Sequence, residues 1–198
     1  MRAWLSAIGA AVLGTAALFW GTDGFRALTA ETARRIAVSE HPRAVPDLRL
    51  QLQSGAEARL RDLRGELVVA TFIYTRCTTM CPMLGLRMKR IRAALPEGAA
   101  GAEVHLLSLS FDPEHDTPDR LAAYAGRYGA RPGHWWVARP RKGLEGILDT
   151  FGVVVLPDGR DGFRHNGAFY LIDRAGRLTG IYPDDKPQRV AAAVEARL

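Results

Sequence analysis

The chain has 198 residues, enough for one domain of ordinary size with a short tail, and its 47% apolar and 24% charged residues are typical of globular proteins. The net charge of +6 comes almost entirely from arginines, because lysine occurs only at positions 89, 142 and 186. These arginines are scattered, without a dense run or interleaved aromatic residues, which argues against a nucleic-acid-binding protein.

The N-terminal segment carries no charge from residue 3 to residue 20. A helix of this length spans about 27 Å, which is enough for the core of a bilayer. Trp4 and Trp20 lie at its two ends, as interfacial aromatic residues do. The sequence predicts a membrane anchor over residues 1–22, with a cleaved signal peptide as the alternative. Both the anchor and the signal peptide predict export to an oxidising compartment. Residues 23–47 are predicted to be a polar stalk or short helix with a linker.

Residues 48–198 are predicted to form the folded domain. Leu48, Leu50 and Leu52 alternate with polar residues, which predicts a half-buried strand and, after a Ser-Gly turn, a hairpin. Further strands are predicted over residues 67–74, 104–110, 135–138, 168–173 and 178–182, and helices over residues 83–95, 117–128, 142–151 and 186–198. Strands that alternate with helices and end in a hairpin indicate an α/β fold with a mixed sheet covered by helices.

The only two cysteines, Cys77 and Cys81, lie in one turn between a predicted strand and a predicted helix. They can bridge each other, share a metal ion or bond another chain. Pro82 suits the first position of the helix, which predicts Cys81 as its N-cap. The helix N-terminus is then expected to lower the pKa of the Cys81 thiol. A dithiol at the first strand-to-helix turn of such a sheet indicates a thioredoxin-like fold.

Thiolates are soft ligands that favour Cu(I), zinc or iron–sulfur chemistry, but two of them do not complete a zinc or cluster site. A histidine is the obvious source of a third ligand. The chain has five of them: His41, His105, His115, His134 and His165. Each has a simple structural interpretation in a linker, strand or loop, so the residues alone do not single out one as the ligand.

Three runs of the sequence resemble the Sco/SenC family of membrane-tethered, thioredoxin-like copper proteins of cytochrome c oxidase assembly. The runs are FIYTRCTTMCPML, SLSFDPEHDTPDRLAAYAGRYG and HNGAFYLIDRAGRL, and the resemblance covers residues 48–198. It implies that Cys77, Cys81 and His165 bind copper, as Cu(I), Cu(II) or both. It also implies that Asp112 is an accessory residue, which orders its loop or meets a partner.

The resemblance implies partners and a location as well. The expected acceptor of the copper is subunit II of cytochrome c oxidase or another copper enzyme. A thiol reductant is needed, because a Cys77–Cys81 disulfide would not bind copper. The expected location is the bacterial inner membrane, with the soluble domain in the periplasm. The protein is expected to be a metallochaperone rather than an enzyme.

Two departures from the family pattern bear on the partner and on the redox behaviour. Arg76 stands where a histidine is common, and Thr78, Thr79 and Met80 replace the polar or acidic residues that many members have between the cysteines. Met80 and Met83 are soft thioethers near the dithiol. Packing into apolar surroundings is their simpler interpretation, and a weak extra contact to Cu(I) is the alternative.

A thiol–disulfide reductase is the main alternative function, with Cys77 and Cys81 as a redox-active dithiol that keeps the acceptor's cysteines reduced. Residues 166–168 argue against it, since they lack the proline with which such enzymes hold a substrate, and His165 lies in that neighbourhood instead. A peroxidase would need a lone nucleophilic thiol. A structural disulfide is the remaining alternative, although so short a bridge would contribute little stability.

Overall fold

Two parallel strands that are buried along their whole length form the centre of the sheet, β4 (Leu67–Ile73) and β5 (Val104–Ser110). Their mostly apolar sequences match the burial that parallel strands covered by helices require. The protein is described here by a computed structural model, which covers residues 2–22, 24, 29–77, 80–96, 103–159 and 161–198.

The other elements have the following bounds. The remaining strands are β1 (Arg43–Ala44), β2 (Arg49–Leu52), β3 (Glu57–Arg59), β6 (Trp135–Pro140), β7 (Val155–Pro157), β8 (Phe163–His165), β9 (Ala168–Ile172) and β10 (Arg177–Pro183). The helices are α1 (Arg2–Gly21), α2 (Ala30–Glu40), α3 (Met80–Ala94), α4 (Pro118–Tyr128), α5 (Leu144–Phe151) and α6 (Pro187–Glu195).

Within the described residues, the main sheet has eight strands in the order β1-β10-β9-β4-β5-β6-β2-β3. Strands β4, β5 and β6 are parallel, and α3 and α4 make the crossovers between them, whereas β9 runs antiparallel to β4. The predicted N-terminal hairpin is present as the antiparallel pair β2–β3. The predicted α/β fold with a mixed sheet covered by helices is therefore confirmed.

This strand order brings three separate segments to one edge of the sheet. The dithiol turn follows the carboxyl end of β4, and the loop with Asp112 follows the carboxyl end of the parallel strand β5. Because β9 is antiparallel to β4, its first residue lies at the same edge, where Thr71 Oγ1 donates a hydrogen bond to the Ala168 carbonyl at 3.0 Å. His165 precedes Ala168 by three residues and is thereby held near the dithiol.

A second, two-stranded sheet carries His165. Strands β7 and β8 pair antiparallel, with Val155 opposite His165. The prediction of a loop at His165 was wrong, because this residue ends a strand. The two strands have three residues each, which is too short for an alternating pattern to stand out.

The N-terminal helix α1 covers most of the segment predicted to anchor the protein in a membrane. Among the residues that the structure describes, no helix is both long enough and apolar enough to cross a membrane. The predicted transmembrane helix is therefore not found there, and the anchor over residues 1–22 stays a prediction.

Part of the predicted stalk forms helix α2, which packs on the domain. Val38 of this helix is fully buried. Arg34 Nη1 donates hydrogen bonds to the carbonyl oxygens of Phe151 and Gly152 at 2.5 and 2.7 Å, at the carboxyl end of α5. A guanidinium suits that position, because the last carbonyls of a helix lack partners within the helix.

Acid is expected to destabilise the fold through His105, which is buried in β5. Burial, helped by nearby His134, lowers the pKa of His105 from 6.5 to about 4. Glu66 Oε2 is 3.5 Å from Nδ1, and Trp136 packs on the ring. The unfolded chain binds a proton at His105 more readily than the folded chain does. The free energy of unfolding is therefore highest above pH 6.5 and falls by about 3 kcal/mol as the pH drops to 4.

Urea unfolding at pH 7 and pH 4 measures this effect. The loss of unfolding free energy between the two pH values should be smaller by about 3 kcal/mol in the variant His105→Gln, which has no proton to gain. An equal loss in the variant and the natural protein would show that His105 is not responsible.

Candidate metal site

The dithiol turn holds both sulfur atoms inside the protein. Cys77 and Cys81 are not joined by a disulfide, and their exposed fractions are 9% and 1%. The backbone N–H of Cys81 donates to Cys77 Sγ at 3.4 Å, and the N–H of Tyr74 donates to Cys81 Sγ at 3.5 Å. Thr78 and Thr79, between the cysteines, lie outside the described residues. Each sulfur atom therefore accepts a hydrogen bond from a backbone N–H group of the turn or of the residue that follows β4.

The pKa of the Cys81 thiol is raised, whereas the sequence predicts a lowered one. The hydrogen bond with the Cys77 thiol is the largest cause and burial the second, while the Tyr74 N–H acts in the opposite direction. The prediction of Cys81 as the N-cap was also wrong, because α3 begins at Met80. Cys81 is therefore a protonated thiol near neutral pH, and a metal ion that binds it must displace the proton.

His165 reaches the dithiol from the other side of this edge. Its Nε2 lies 3.8 Å from Cys81 Sγ. Phe111 packs edge-on against the imidazole at 4.9 Å between ring centroids, and among the described residues the buried Nδ1 has no hydrogen-bond partner of good geometry. Burial is the largest cause of the lowered pKa of His165. The imidazole therefore stays neutral near pH 7, and a neutral ring nitrogen is the form that binds metals.

Tyr74 fixes the strand of His165 to the end of β4. Its hydroxyl donates to the Phe163 carbonyl at 3.0 Å and accepts from the Phe163 N–H at 3.2 Å. The rings of Tyr74 and Phe163 also meet edge-on at 5.4 Å. These contacts hold β8, and with it His165, next to the strand that leads into the dithiol turn. The sequence does not indicate that Tyr74 contacts β8, because Tyr74 stands at the end of an apolar run and looks like an ordinary strand residue.

Asp112 acts on the turn through Arg76, the residue before Cys77. Arg76 Nε donates to Asp112 Oδ2 at 2.8 Å, and His115 Nδ1 lies 2.9 Å from Asp112 Oδ1. Arg76 also pairs with Asp161 at 3.0 Å, in the turn between β7 and β8. Arg76, which stands where the family commonly has histidine, thus connects the Asp112 loop to the β7–β8 turn. The contacts of Asp112 with Arg76 and His115 hold its own loop in place.

Asp116 supports the dithiol turn through buried hydrogen bonds. This role was not predicted from the sequence. Asp116 is fully buried. Its carboxylate accepts hydrogen bonds from the Thr75 N–H at 3.1 Å, from Thr75 Oγ1 at 2.5 Å and from Ser110 Oγ at 2.5 Å. Burial nevertheless raises the pKa of Asp116. The only hint in the sequence is a second aspartate in the loop that contains Asp112.

The donor set of this site suits a soft metal ion. Cys77 and Cys81 offer sulfur and His165 offers nitrogen, the combination that favours Cu(I) over hard cations. Within the described ranges, no three histidine, cysteine, aspartate or glutamate side chains already stand in a geometry that could hold a metal ion. The three donors are neighbours, and joint coordination requires their side chains to rotate.

A dithiol turn that faces a histidine from a distant strand defines a thioredoxin-like protein with a soft-metal or redox site. The family model SCO1/SenC matches residues 37–198, and the chain belongs to that family. The SCO1 protein homolog of Bacillus subtilis (strain 168) is 32% identical over 136 residues, which cover 67% of this chain and 69% of the relative. A protein of Stutzerimonas stutzeri named for copper binding is 27% identical, with 70% of this chain and 68% of that protein covered.

Solved structures agree with the family. The SCO1/SenC family lipoprotein of Bacillus anthracis str. Ames is 25% identical with a TM-score of 0.69, and the match covers 79% of this chain and 96% of that one. BsSco, a member of the Sco family of cytochrome c oxidase assembly proteins that has a disulfide switch, is 27% identical with a TM-score of 0.63, over 79% and 94% of the two chains. The predicted thioredoxin-like fold and family are confirmed.

Proposed function

We propose that the protein is a copper metallochaperone. It binds one copper ion through the thiolates of Cys77 and Cys81 and through Nε2 of His165, and delivers it to cytochrome c oxidase subunit II or a related copper enzyme. The observation that carries this proposal is the 3.8 Å approach of His165 Nε2 to Cys81 Sγ. The copper-binding name of the Stutzerimonas relative and the assembly role of BsSco support it.

The chemistry of the three donors suits a cargo that is held and then passed on. Two sulfur atoms and one nitrogen are enough to hold Cu(I), which also accepts a further soft donor, whereas Cu(II) needs a fourth oxygen or nitrogen donor. Binding releases the thiol proton of Cys81. The ligands come from two segments of the chain, so an acceptor's thiolates can replace them one at a time.

The cellular setting in this proposal follows from the N-terminal segment. Residues 1–22 anchor the protein in the inner membrane, and the domain lies in the periplasm. The Bacillus anthracis lipoprotein, a membrane-associated class of protein, supports a position at the membrane. In an oxidising compartment the two thiols form a disulfide unless a thiol reductant restores them.

A thiol–disulfide reductase is the second candidate. The hydrogen bond between the two thiols favours it, because it holds the sulfur atoms close to one another. Such an enzyme would turn over with a dithiol reductant and would be indifferent to the loss of His165. The His165→Ala variant therefore separates the two functions.

Anaerobic titration of the reduced full-length protein with Cu(I), against a competing chelator, tests the main proposal. One ion should bind per chain. Cys77→Ser and Cys81→Ser should each lower the affinity by more than about a hundredfold, and His165→Ala by about tenfold to a hundredfold. His41→Ala is the matched control, since His41 is exposed and lies away from the dithiol turn in sequence. Unchanged affinity in all three site variants would refute the metallochaperone.

A further inference from the structure

The thioether of Met80 lies against the segment that follows His165. Met80 is the first residue of α3 and precedes Cys81 directly. Its side chain is partly buried against the core. Its Sδ lies 2.9 Å from the position that a Cβ atom on Gly167 would occupy. A third sulfur atom therefore sits at the junction of the two segments that bring Cys81 and His165 together.

Gly167 makes room for this sulfur. Its φ lies outside the left-handed region, so the backbone does not require glycine there. A methyl group at this position would meet the Met80 sulfur at less than ordinary contact distance. The space that glycine leaves is filled by the thioether.

The other donor near Gly167 is already engaged. Asp184 Oδ2 lies 3.6 Å from the same point, but this carboxylate forms an ion pair with Arg87 at 2.5 Å. A thioether is neutral, has no proton to lose and prefers Cu(I) to Cu(II). An oxygen donor would instead favour Cu(II). Of these two donors, the carboxylate is held in an ion pair, and the thioether is the one that suits the reduced ion.

We propose that Met80 Sδ is an additional ligand that makes the site selective for Cu(I) over Cu(II). This inference rests on the proposed copper site of Cys77, Cys81 and His165. The methionine side chain has three rotatable bonds, so its sulfur can approach the ion without movement of α3. The coordination of Cu(I) then comprises three sulfur atoms and one nitrogen.

The variant Met80→Leu tests this ligand, because leucine keeps the apolar volume and removes the sulfur. The Cu(I) affinity should fall about tenfold, the Cu(II) affinity should change less than about twofold, and X-ray absorption should count two sulfur neighbours instead of three. Met83→Leu is the matched control, since Met83 is one turn further along α3 and 43% exposed. It should leave all three measurements unchanged.

Gly167→Ala provides an independent second variant. Its methyl group displaces the Met80 sulfur and should reproduce the loss of Cu(I) affinity, whereas the same substitution in a Met80→Ala background should cost little more. If the natural protein binds Cu(I) with two sulfur neighbours and Met80→Leu binds it equally well, the extra ligand is refuted and the metallochaperone stands. If the natural protein takes up no Cu(I), both proposals are refuted.

Discussion

Replacing Asp116 with alanine is expected to lower the free energy of unfolding by about 3 kcal/mol, because hydrogen bonds to a buried charged group are each worth more than ordinary ones. The substitution leaves two donors of Thr75 and the hydroxyl of Ser110 without an acceptor. The carboxylate is fully buried, so water does not replace it without opening the loop. Urea unfolding monitored by circular dichroism measures the loss.

The conservative variant Asp116→Asn serves as the control. The amide keeps the size of the side chain and one acceptor oxygen, but it presents a donor to groups that also donate. Its cost should lie between those of the natural residue and alanine. If Asp116→Ala unfolds at the same urea concentration as the natural protein, the carboxylate does not support the turn.

Replacing Gly85 with alanine is expected to destabilise the protein by about 1–2 kcal/mol. A methyl group on Gly85 would meet three ring atoms of Tyr128 at 2.6–2.7 Å. This ring is only 4% exposed, so it has little room to move. Overpacking costs about 1–3 kcal/mol, and the better helix propensity of alanine returns up to about 1 kcal/mol. The measurement is the free energy of unfolding in urea.

The chain offers a glycine that should respond in the opposite direction. Gly126 lies inside α4, and no atom of the described residues is within 4 Å of the position of its Cβ, so Gly126→Ala should stabilise the protein by about 0.5–1 kcal/mol. In a Tyr128→Leu background the cost of Gly85→Ala should largely disappear. A cost that persists without the ring would contradict the close packing of α3 on α4.

The central part of the fold was predictable because its signals are local. The apolar run over residues 104–110 gave the bounds of β5 as the structure has them. The buried strand before the dithiol and the helix after it placed Cys77 and Cys81 in the first strand-to-helix turn. The approach of His165 followed from the family resemblance, since nothing in its immediate sequence distinguishes it from the other histidines.

The parts that escaped prediction depend on contacts between distant residues. Asp116 binds Thr75 across 41 positions, and Tyr74 binds Phe163 across 89. Neither pair leaves a periodic pattern. The pKa of Cys81 was predicted from the helix N-terminus alone, whereas the adjacent Cys77 thiol and burial decide its direction. The bounds of β5 follow from the local sequence, whereas the start of α3, the strand that ends at His165 and the electrostatics of the turn depend on packing.

The two donors that approach each other at this edge, Cys81 and His165, are 84 positions apart in the chain. A truncated or nascent polypeptide that ends before β8 has the dithiol turn but lacks the imidazole. Closing so long a loop carries a cost in conformational entropy, which has to be met before its contacts stabilise the protein. In the proposed copper site, full retention of the ion would therefore require the whole domain to have folded, and incomplete chains would not hold the ion.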